Sequence, residues 1–337
     1  MNTKRKILSG AGIAIVAGVV IAGIGVGLLK EKPESETGKY AETTYTASGN
    51  IDYIRASLHA EDVVVEAADI TMVEVVYMDN ISDPLYTVTE KGSKLQIKKQ
   101  PVVSFFHIPI FYKDGISEEA MSETVHIRVP RECVLDAYLS VTAGDVSIAD
   151  LEVGQLSFSS TSGNMKAKNL AADKEIHADA TAGDMKFENV SVSGDFYCST
   201  TSGSVDMREI RSTGNILVNA TSGELELYNI AAEGVISKSS TSGGMKGENI
   251  SAQTLDFNAT SGSIRLEELT IKDKVRIDGT SMDVKVGLTD VLDHYQVRVS
   301  TTSGDSNLPN HYKGSGEKEI DVSTTSGDVW FEFGSEY

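Results

Sequence analysis

A short unit that ends in glycine recurs along the chain and limits the folds that are open to it. Ten four-residue copies, such as STSG and ATAG, occur beyond residue 130 at intervals of about 20 residues, and only the eighth copy, GTSM, lacks the glycine. Threonine stands two places before the glycine position in every copy. This period predicts a repeat architecture in which one local geometry is reused. The residues predicted to form its structural turns include Thr161, Gly163, Thr181, Gly183, Thr201, Gly203, Thr221, Gly223, Thr241, Gly243, Thr260 and Gly262.

Apolar residues alternate with polar residues on both sides of each unit, which is the period of a strand with one buried face. Leu156 and Phe158 precede one turn, and Val205 and Met207 follow another. A single strand–turn–strand unit cannot bury its apolar face, whereas stacked units form a continuous core. We therefore predict an all-β solenoid, a single-stranded right-handed β-helix of about ten coils of about 20 residues. An antiparallel β-roll or sandwich is the alternative.

The recurring glycine of the unit has a backbone explanation, since a tight corner requires a positive φ that penalises any residue with a β-carbon. Met282 occupies the glycine position of GTSM, so that coil either turns differently or is strained there. The neighbouring threonine hydroxyls can hydrogen-bond the backbone of the turn. Six residues after the glycine position, a column of Asp, Asn and Glu runs from Asp150 to Glu268, and its asparagines can form an amide ladder between parallel coils.

The N-terminal region carries a separate signal. No charged residue occurs over residues 7–29, and at about 1.5 Å per residue a helix of this length spans the hydrocarbon core of a membrane. Basic residues in the preceding segment 1–6 predict a cytoplasmic tail and an extracytoplasmic remainder. A cleaved secretory signal is the alternative, although the run is longer than a usual signal core. Ala14 and Gly18, spaced four apart, would allow two such helices to pair as a homo-oligomer.

The other boundaries follow from changes in composition. Residues 30–39 are polar and charged and predict a short linker. Residues 40–130 form an irregular β cap region with a hairpin that turns at Lys91 and Gly92, and residues 131–337 form the TSG-repeat β-helix. An apolar insertion in the cap region predicts either packing on the open end of the solenoid or a contact loop. The contact residues of that loop would be Phe105, Phe106, Phe111 and Tyr112.

Charge and ligand spacing argue against several classes of protein. The chain has 30 basic and 49 acidic residues, a formal net charge of −19 and no basic stripe, which argues against a nucleic-acid partner. Cys133 and Cys198 would lie more than about 10 Å apart in a stack of coils, beyond the reach of a disulfide. The six histidines have no metal-ligand partner at helical or CxxC spacing. We therefore predict no metal site and no cofactor.

Parallel β-helices include enzymes that cleave polysaccharides with carboxylates converging on one groove. Carboxylates do follow the glycine position here, as at Asp145 and Asp184, but they alternate with neutral residues. Basic residues such as Lys166 and Lys186 stand two positions further on. Because acidic and basic columns then run side by side, the pattern favours solvated ion-pair ladders over a catalytic groove. We predict that the protein is not an enzyme and has no catalytic residue.

Several segments together resemble a known family. The opening SLHAEDVVVEAAD, the hairpin before VHIRVP, the segment LSVTAGDVSIADL and the TSG-type units extend from about Ile51 to the C-terminus. They are similar to the adhesin-like β-strand-repeat domain of unknown function, typified by the LiaG-like envelope-stress proteins of Gram-positive bacteria. The resemblance implies a right-handed β-helix outside the cytoplasmic membrane, with no established activity or catalytic residues. The insertion around Phe105 and the turn at Met282 depart from the pattern.

These observations leave three functions open. We expect a single-pass protein of the cell membrane, largely extracytoplasmic, that acts as an adhesin or a stress-associated scaffold and contacts envelope proteins or glycans. A polysaccharide-binding or polysaccharide-cleaving β-helix protein is the first alternative. The second alternative is an accessory subunit of a membrane complex, working through the transmembrane helix and the Phe105 loop.

Overall fold

The computed structural model describes residues 40–100 and 124–335. Apart from a turn of 3-10 helix at Leu292–His294, the regular elements of these residues are β-strands. In chain order they are β1 (Tyr40–Thr46), β2 (Tyr53–Leu58), β3 (Asp62–Ala68), β4 (Glu74–Asn80), β5 (Tyr86–Lys91), β6 (Lys94–Lys99), β7 (Thr124–Pro130), β8 (Leu135–Val141), β9 (Val146–Ser162), β10 (Met165–Ala172), β11 (Ile176–Ala182), β12 (Met185–Val192), β13 (Phe196–Ser202), β14 (Val205–Ser212), β15 (Ile216–Ser222), β16 (Leu225–Ala232), β17 (Val235–Ser240), β18 (Met245–Leu288), β19 (Tyr295–Ser303), β20 (His311–Lys313), β21 (Lys318–Ser326) and β22 (Val329–Glu332). All of them belong to one hydrogen-bonded sheet.

Successive coils are joined by parallel strands in register. β10 pairs with β12, so that Met165 lies beside Met185 and Ala167 beside Phe187. β11 pairs with β13 in the same way, and β13 pairs with β15. The predicted all-β solenoid of about ten turns is therefore confirmed. Parallel pairing of the central coils is incompatible with the antiparallel roll or sandwich.

Each central coil contains three corners. In the coil that starts at Met165, β10 changes direction at Asn169, whose φ is 51°. The chain turns again over residues 173–175, and β11 then leads to the third corner at Gly183, whose φ is 140°. Between corners, alternate side chains are buried. The three corners bring the chain back above its starting point, which allows strands of neighbouring coils to pair.

The core is a continuous stack of inward side chains. One of its columns contains Phe158, Ala178, Cys198, Val218, Lys238 and Phe257 in register. Large and small residues follow one another in this column, which helps to fill the interior at close-packed density. Phe187 and Phe196 also meet edge to face, with ring centroids 4.8 Å apart. Cys198 is buried, and both cysteines are free thiols.

The order of the coils along the stack differs from their order in the chain at both ends. At one end, β2 and β3 pair with β8 and β9 on one side and with β6 and β7 on the other. At the opposite end, β21 lies between β18 and β19. Each end therefore contains a coil inserted between two others. The repeat in the sequence does not predict these inserted coils.

An ion pair supports the inserted coil at each end. Lys99 Nζ lies 2.6 Å from Oε1 of Glu61, which is 2% exposed, and this contact joins β6 to the segment between β2 and β3. Burial alone would raise the pKa of the Glu61 carboxyl, but hydrogen bonds from Lys99 and from the backbone N–H of His59 lower it overall. At the other end, Lys318 Nζ lies 2.6 Å from Oδ2 of Asp290 and joins β21 to the segment that follows β18.

Antiparallel strands cover the N-terminal end of the stack. β1 pairs with β4 and β4 pairs with β7. β5 and β6 form the predicted hairpin, which turns at Gly92 with a φ of 62°. These antiparallel strands form a small layer at the N-terminal end of the stack. They pair with the last parallel strands, whose edge would otherwise be open to pairing with another chain.

Two predicted features fall outside the part of the chain that the structure describes. These are the transmembrane helix over residues 7–29 and the contact loop with Phe105, Phe106, Phe111 and Tyr112. Among residues 40–100 and 124–335, no helix has the length and apolar character needed to cross a membrane. Both features remain predictions from the sequence.

Candidate contact surface

The threonine–glycine units align in a single file along the stack. A β-carbon placed on Gly183 would lie 2.1 Å from the carbonyl oxygen of Gly163, and one on Gly203 would lie 2.0 Å from that of Gly183. The same relationship links Gly163, Gly183, Gly203, Gly223, Gly243 and Gly262 to the preceding unit, and their φ values are all positive. Glycine is needed at these corners for two reasons. It adopts the positive φ, and its lack of a β-carbon leaves room for the carbonyl oxygen of the corner in the neighbouring coil.

Met282 shows how a corner forms without glycine. The described residues with positive φ do not include Met282, and its side chain is 2% exposed. A β-carbon on Gly279 would lie 2.3 Å from the Met282 Cε atom. The coil therefore turns differently: the methionine side chain points inward into space that Gly279 leaves free. The Met282 backbone still stacks on a corner, since a β-carbon on Gly327 would lie 2.1 Å from its carbonyl oxygen.

The threonines of these units lie on one side of the stack, which we call the hydroxyl face. It is formed by the outward side chains of β11, β13, β15, β17 and the corresponding residues of β9 and β18. Thr161, Thr181, Thr201, Thr221, Thr241 and Thr260 are all exposed on it. A second polar column beside them contains Ser159, Asp179, Ser199, Asn219, Ser239 and Asn258. Parallel coils repeat at about 4.8 Å, so both columns present polar groups at a regular spacing.

The expected hydrogen bonds from the threonine hydroxyls to the turn backbone are not formed. Among the described residues, the hydroxyls of Thr161, Thr181 and Thr201 make no side-chain hydrogen bond, and neither do those of Thr221, Thr241 and Thr260. Beneath this column, Ser160 and Thr200 are 6% and 3% exposed, and their hydroxyl oxygens also lack a protein partner. The face therefore has hydrogen-bonding capacity that the folded chain does not use.

Aromatic rings line the same face at its other edge. The rings of Tyr53 and Tyr138 stack with centroids 4.9 Å apart, and those of His177 and Tyr197 stack at 4.4 Å. Tyr197 donates its hydroxyl to Oδ2 of Asp195 at 2.7 Å, and this hydrogen bond raises the pKa of the Tyr197 phenol. The carboxyl pKa of Asp195 is lowered, first because it accepts the Asn215 backbone N–H and then because of Tyr197. The rings and the polar groups beside them are thus held in place.

Another side of the stack carries the predicted ion-pair ladders. Lys186 Nζ lies 3.3 Å from Asp206 Oδ2, and Lys246 Nζ lies 2.6 Å from Glu224 Oε2. The side chains of both lysines are 45% exposed, so these pairs are screened by solvent and contribute little to stability. The prediction of solvated pairs between the acidic and the basic column is confirmed at Glu224 and Lys246, whereas Lys186 pairs with an acidic residue of its own column. The prediction did not include a second role of the residues that follow the glycine position, whose side chains accept hydrogen bonds from backbone N–H groups. Asp184 Oδ1, for example, accepts the N–H of Ser204 at 2.8 Å.

The asparagine column forms the predicted amide ladder. Asn189 Nδ2 donates to Asn169 Oδ1 at 2.8 Å, and Asn169 Nδ2 donates to Asp150 Oδ1 at 2.7 Å. The column also has a backbone role that its sequence pattern was not used to predict. All seven members have φ between 51° and 58°: Asp150, Asn169, Asn189, Glu209, Asn229, Asn249 and Glu268. Asn and Asp tolerate this left-handed conformation better than most residues, which was the signal available in the sequence.

The structure also contains a buried lysine that the sequence pattern was not used to predict. Lys238 is 1% exposed and lies in the inward column between Val218 and Phe257. Its Nζ donates to the carbonyl oxygens of Gly244 at 2.6 Å and Gly223 at 3.2 Å. Burial lowers the pKa of its amine to about 8. The position of Lys238 in the repeat was the signal for its burial, because the neighbouring coils have apolar residues at the same position.

The described residues hold no group of three or more side chains suited to binding a metal ion. Cys133 donates its thiol to the Ile51 carbonyl oxygen at 3.3 Å. Burial raises the pKa of both cysteine thiols, most strongly that of Cys198. A raised thiol pKa makes these cysteines less reactive, which fits a structural role for the buried Cys198.

Comparison with solved structures finds proteins to which this chain is similar. A "putative adhesin" from Bacteroides fragilis is 14% identical with a TM-score of 0.45, over 68% of this chain and 98% of its own. A "putative adhesin" from Parabacteroides distasonis is 15% identical with a TM-score of 0.40, over 69% and 97%. A "putative lipid binding protein" from Parabacteroides distasonis is 14% identical with a TM-score of 0.36, over 87% and 98%. No curated protein matches the chain.

The match to a protein family covers almost the whole solenoid. The Toastrack DUF4097 family matches residues 51–194 and again residues 173–331. The two matches overlap and together include nearly all of the described coils. They also confirm the resemblance to an adhesin-like β-repeat domain of unknown function. The chain belongs to the Toastrack DUF4097 family.

Proposed function

We propose that this protein is a membrane-anchored, extracytoplasmic contact protein that acts in adhesion or as a scaffold of the cell envelope, without enzymatic activity. The uncharged run over residues 7–29 supports the anchor, and the basic residues before it support an outward orientation of the rest. The linker of residues 30–39 would keep the solenoid near the membrane surface.

The hydroxyl face is the observation that carries this proposal. Its threonine hydroxyls are exposed and make no hydrogen bond to other described residues, while the strands below them are paired in register. A partner would therefore meet a preorganised row of donors and acceptors and would lose little affinity to ordering of the protein. The neighbouring rings of His177 and Tyr197 add apolar contact area to the same face.

The anchor and its orientation can be tested in intact producing cells. A C-terminal epitope tag on the full chain should fractionate with membranes and should be removed by protease added outside the cell. Deletion of residues 1–29 should prevent membrane retention. An epitope that stays protected in intact cells but is digested after lysis would contradict the extracytoplasmic orientation.

The contact role requires a separate test. Thr201→Lys and Thr221→Lys place bulky charges on the hydroxyl face, and we expect them to reduce cell–cell or cell–surface attachment. Ser191→Lys and Ser251→Lys are matched controls, because these residues lie on the outward side of β12 and β18, away from the hydroxyl face. Equal attachment by both pairs of variants would reject the hydroxyl face as the contact surface.

A further inference from the structure

We propose that a slot over Ser157, between the rings of Tyr138 and His177, binds one sugar ring of a neutral polysaccharide that lies along the hydroxyl face. The inference rests on the proposed function and adds the chemical class of the partner. Tyr138, Ser157, His177 and Tyr197 follow one another in register in four successive coils. Serine is the one small residue of this set, so the aromatic row is interrupted at its position.

Both walls of the slot are ring faces. Tyr138 stacks on Tyr53, which belongs to the coil on the side away from Ser157. His177 stacks on Tyr197, which also lies on the side away from Ser157. The ring faces of Tyr138 and His177 that do not stack on another ring therefore lie on the side of Ser157. Two coil spacings of about 4.8 Å separate the walls by about 9 to 10 Å, which is the room needed for one ring stacked at about 4.5 to 5 Å from each wall.

A hydrogen-bonded row runs along one side of the slot. Tyr138 donates its hydroxyl to Gln155 Oε1 at 3.2 Å, and Gln155 Nε2 donates to Glu175 Oε1 at 2.9 Å. The other carboxylate oxygen of Glu175 lies 3.3 Å from His177 Nε2. This row holds both walls in position. Amide and carboxylate oxygens retain lone pairs after these bonds, and sugar hydroxyls are suitable donors to them.

The other side of the slot opens onto the hydroxyl face. There the exposed hydroxyls of Thr161 and Thr181 have no partner among the described residues. A chain of sugars presents many hydroxyls that both donate and accept, which is the chemistry that such groups can satisfy.

Charge near the slot favours a neutral polymer. Glu175 and Asp195 lie beside the His177 wall, and Lys174 is 3.4 Å from a carboxylate oxygen of Asp136. Two further cations, Arg55 and Lys94, lie on the side of Tyr138 that faces away from Ser157. The chain as a whole has a formal charge of −19. A polyanionic glycan would therefore be repelled by the same groups that accept hydrogen bonds from neutral sugars.

The test uses the full chain in a detergent without a sugar headgroup and measures binding by isothermal titration calorimetry. The probes are cellohexaose and chitohexaose, with a heparin hexasaccharide as the anionic comparison. We expect at least one neutral hexasaccharide to bind and the heparin fragment to bind at least tenfold more weakly. Ser157→Phe fills the slot and should weaken neutral binding at least tenfold. Ser237→Phe is the matched control, because Ser237 occupies the same outward column two coils beyond Tyr197, and it should change affinity less than twofold.

His177→Ala provides a second variant that removes a wall without adding bulk, and it should also weaken binding at least tenfold. Circular dichroism of each variant checks that the β-structure is retained. Absence of binding to both neutral probes, or unchanged affinity in Ser157→Phe and His177→Ala, would overturn the assignment. Tighter binding of the peptide (Gly-Tyr)3 would assign the slot to aromatic side chains and would also overturn it. If the Thr201→Lys and Thr221→Lys variants lose attachment but the protein binds no glycan, this inference is rejected and the proposed function stands.

Discussion

Asn307 is bound to the backbone of Phe331 through both ends of its side-chain amide. Its Nδ2 donates to the Phe331 carbonyl oxygen at 2.7 Å, and its Oδ1 accepts the Phe331 N–H at 2.9 Å. The amide therefore takes the place of a neighbouring strand at the C-terminal end of the stack. Nearby, Phe333 lies 6.3 Å from the Phe331 ring and 6.0 Å from that of Tyr295, whereas Trp330 is 52% exposed. Phe331 and Phe333 thus pack together at this end of the stack, and Trp330 lies outside this contact.

The first prediction concerns this end cap. Asn307→Ala leaves the N–H and carbonyl of Phe331 without these partners and should lower the free energy of unfolding by about 1 to 3 kcal/mol. Hydrogen–deuterium exchange should show faster exchange at the Phe331 amide. Asn310→Ala is the matched control, because Asn310 is exposed and its described hydrogen bond uses only the backbone carbonyl. Unchanged protection of the Phe331 amide in Asn307→Ala would contradict the assigned role.

The second prediction separates close packing from backbone strain at glycine. Gly203→Ala introduces a β-carbon 2.0 Å from the Gly183 carbonyl oxygen at a φ of 148°, and it should cost roughly 3 kcal/mol or more. Gly92→Ala places a β-carbon at a φ of 62° with nothing within 4 Å, and it should cost only about 1 kcal/mol. Denaturant unfolding of both variants gives the comparison. Similar losses would show that the stacked corners are not tightly packed.

The third prediction concerns the asparagine ladder. Asn189→Ala removes the 2.8 Å bond to Asn169 and places alanine at a φ of 53°, so the loss should be about 2 kcal/mol. Asn189→Gly also removes the ladder bond but tolerates the positive φ, and it should cost about 1 kcal/mol less than Asn189→Ala. Thermal unfolding of the two variants measures the difference. If the glycine variant is the less stable one, backbone conformation is not the main reason for this column.

The fourth prediction concerns pH. The folded protein lowers the pKa of Lys238 to about 8 from an ordinary value of 10.5. Between these two values the unfolded chain holds a proton that the folded chain has released, so this group adds stability as the pH rises. The stability of the wild type relative to Lys238→Met should therefore increase between pH 7 and pH 9.5. Denaturant unfolding at both pH values tests this, and taking the difference from Lys238→Met cancels the titration of other groups. A difference that stays constant or falls over this range would show that the buried amine does not titrate as described.

Periodicity in the sequence predicted the features that depend on neighbours along the chain or one period away. The alternation around Val205 and Met207 predicted buried strand faces, and the unit at Gly203 predicted a corner that requires glycine. Both features follow from local backbone geometry repeated at a fixed interval. The amide ladder of Asn169 and Asn189 was predictable for the same reason, since equal spacing in the chain places equal residues side by side.

The sequence by itself thus determined the all-β repeat, its period, its corners and its polar ladders, because each depends on interactions that recur in every coil. Only the tertiary structure decided which coils lie next to one another at the ends, where Glu61 pairs with Lys99 and Asp290 with Lys318. The two residues of each pair are separated in the sequence by a different number of residues, so a fixed repeat does not predict these pairs. Tertiary structure also decided that Lys238 is buried and that the rings beside Ser157 form a slot. Both depend on what one coil places against another, which the composition of a single repeat does not contain.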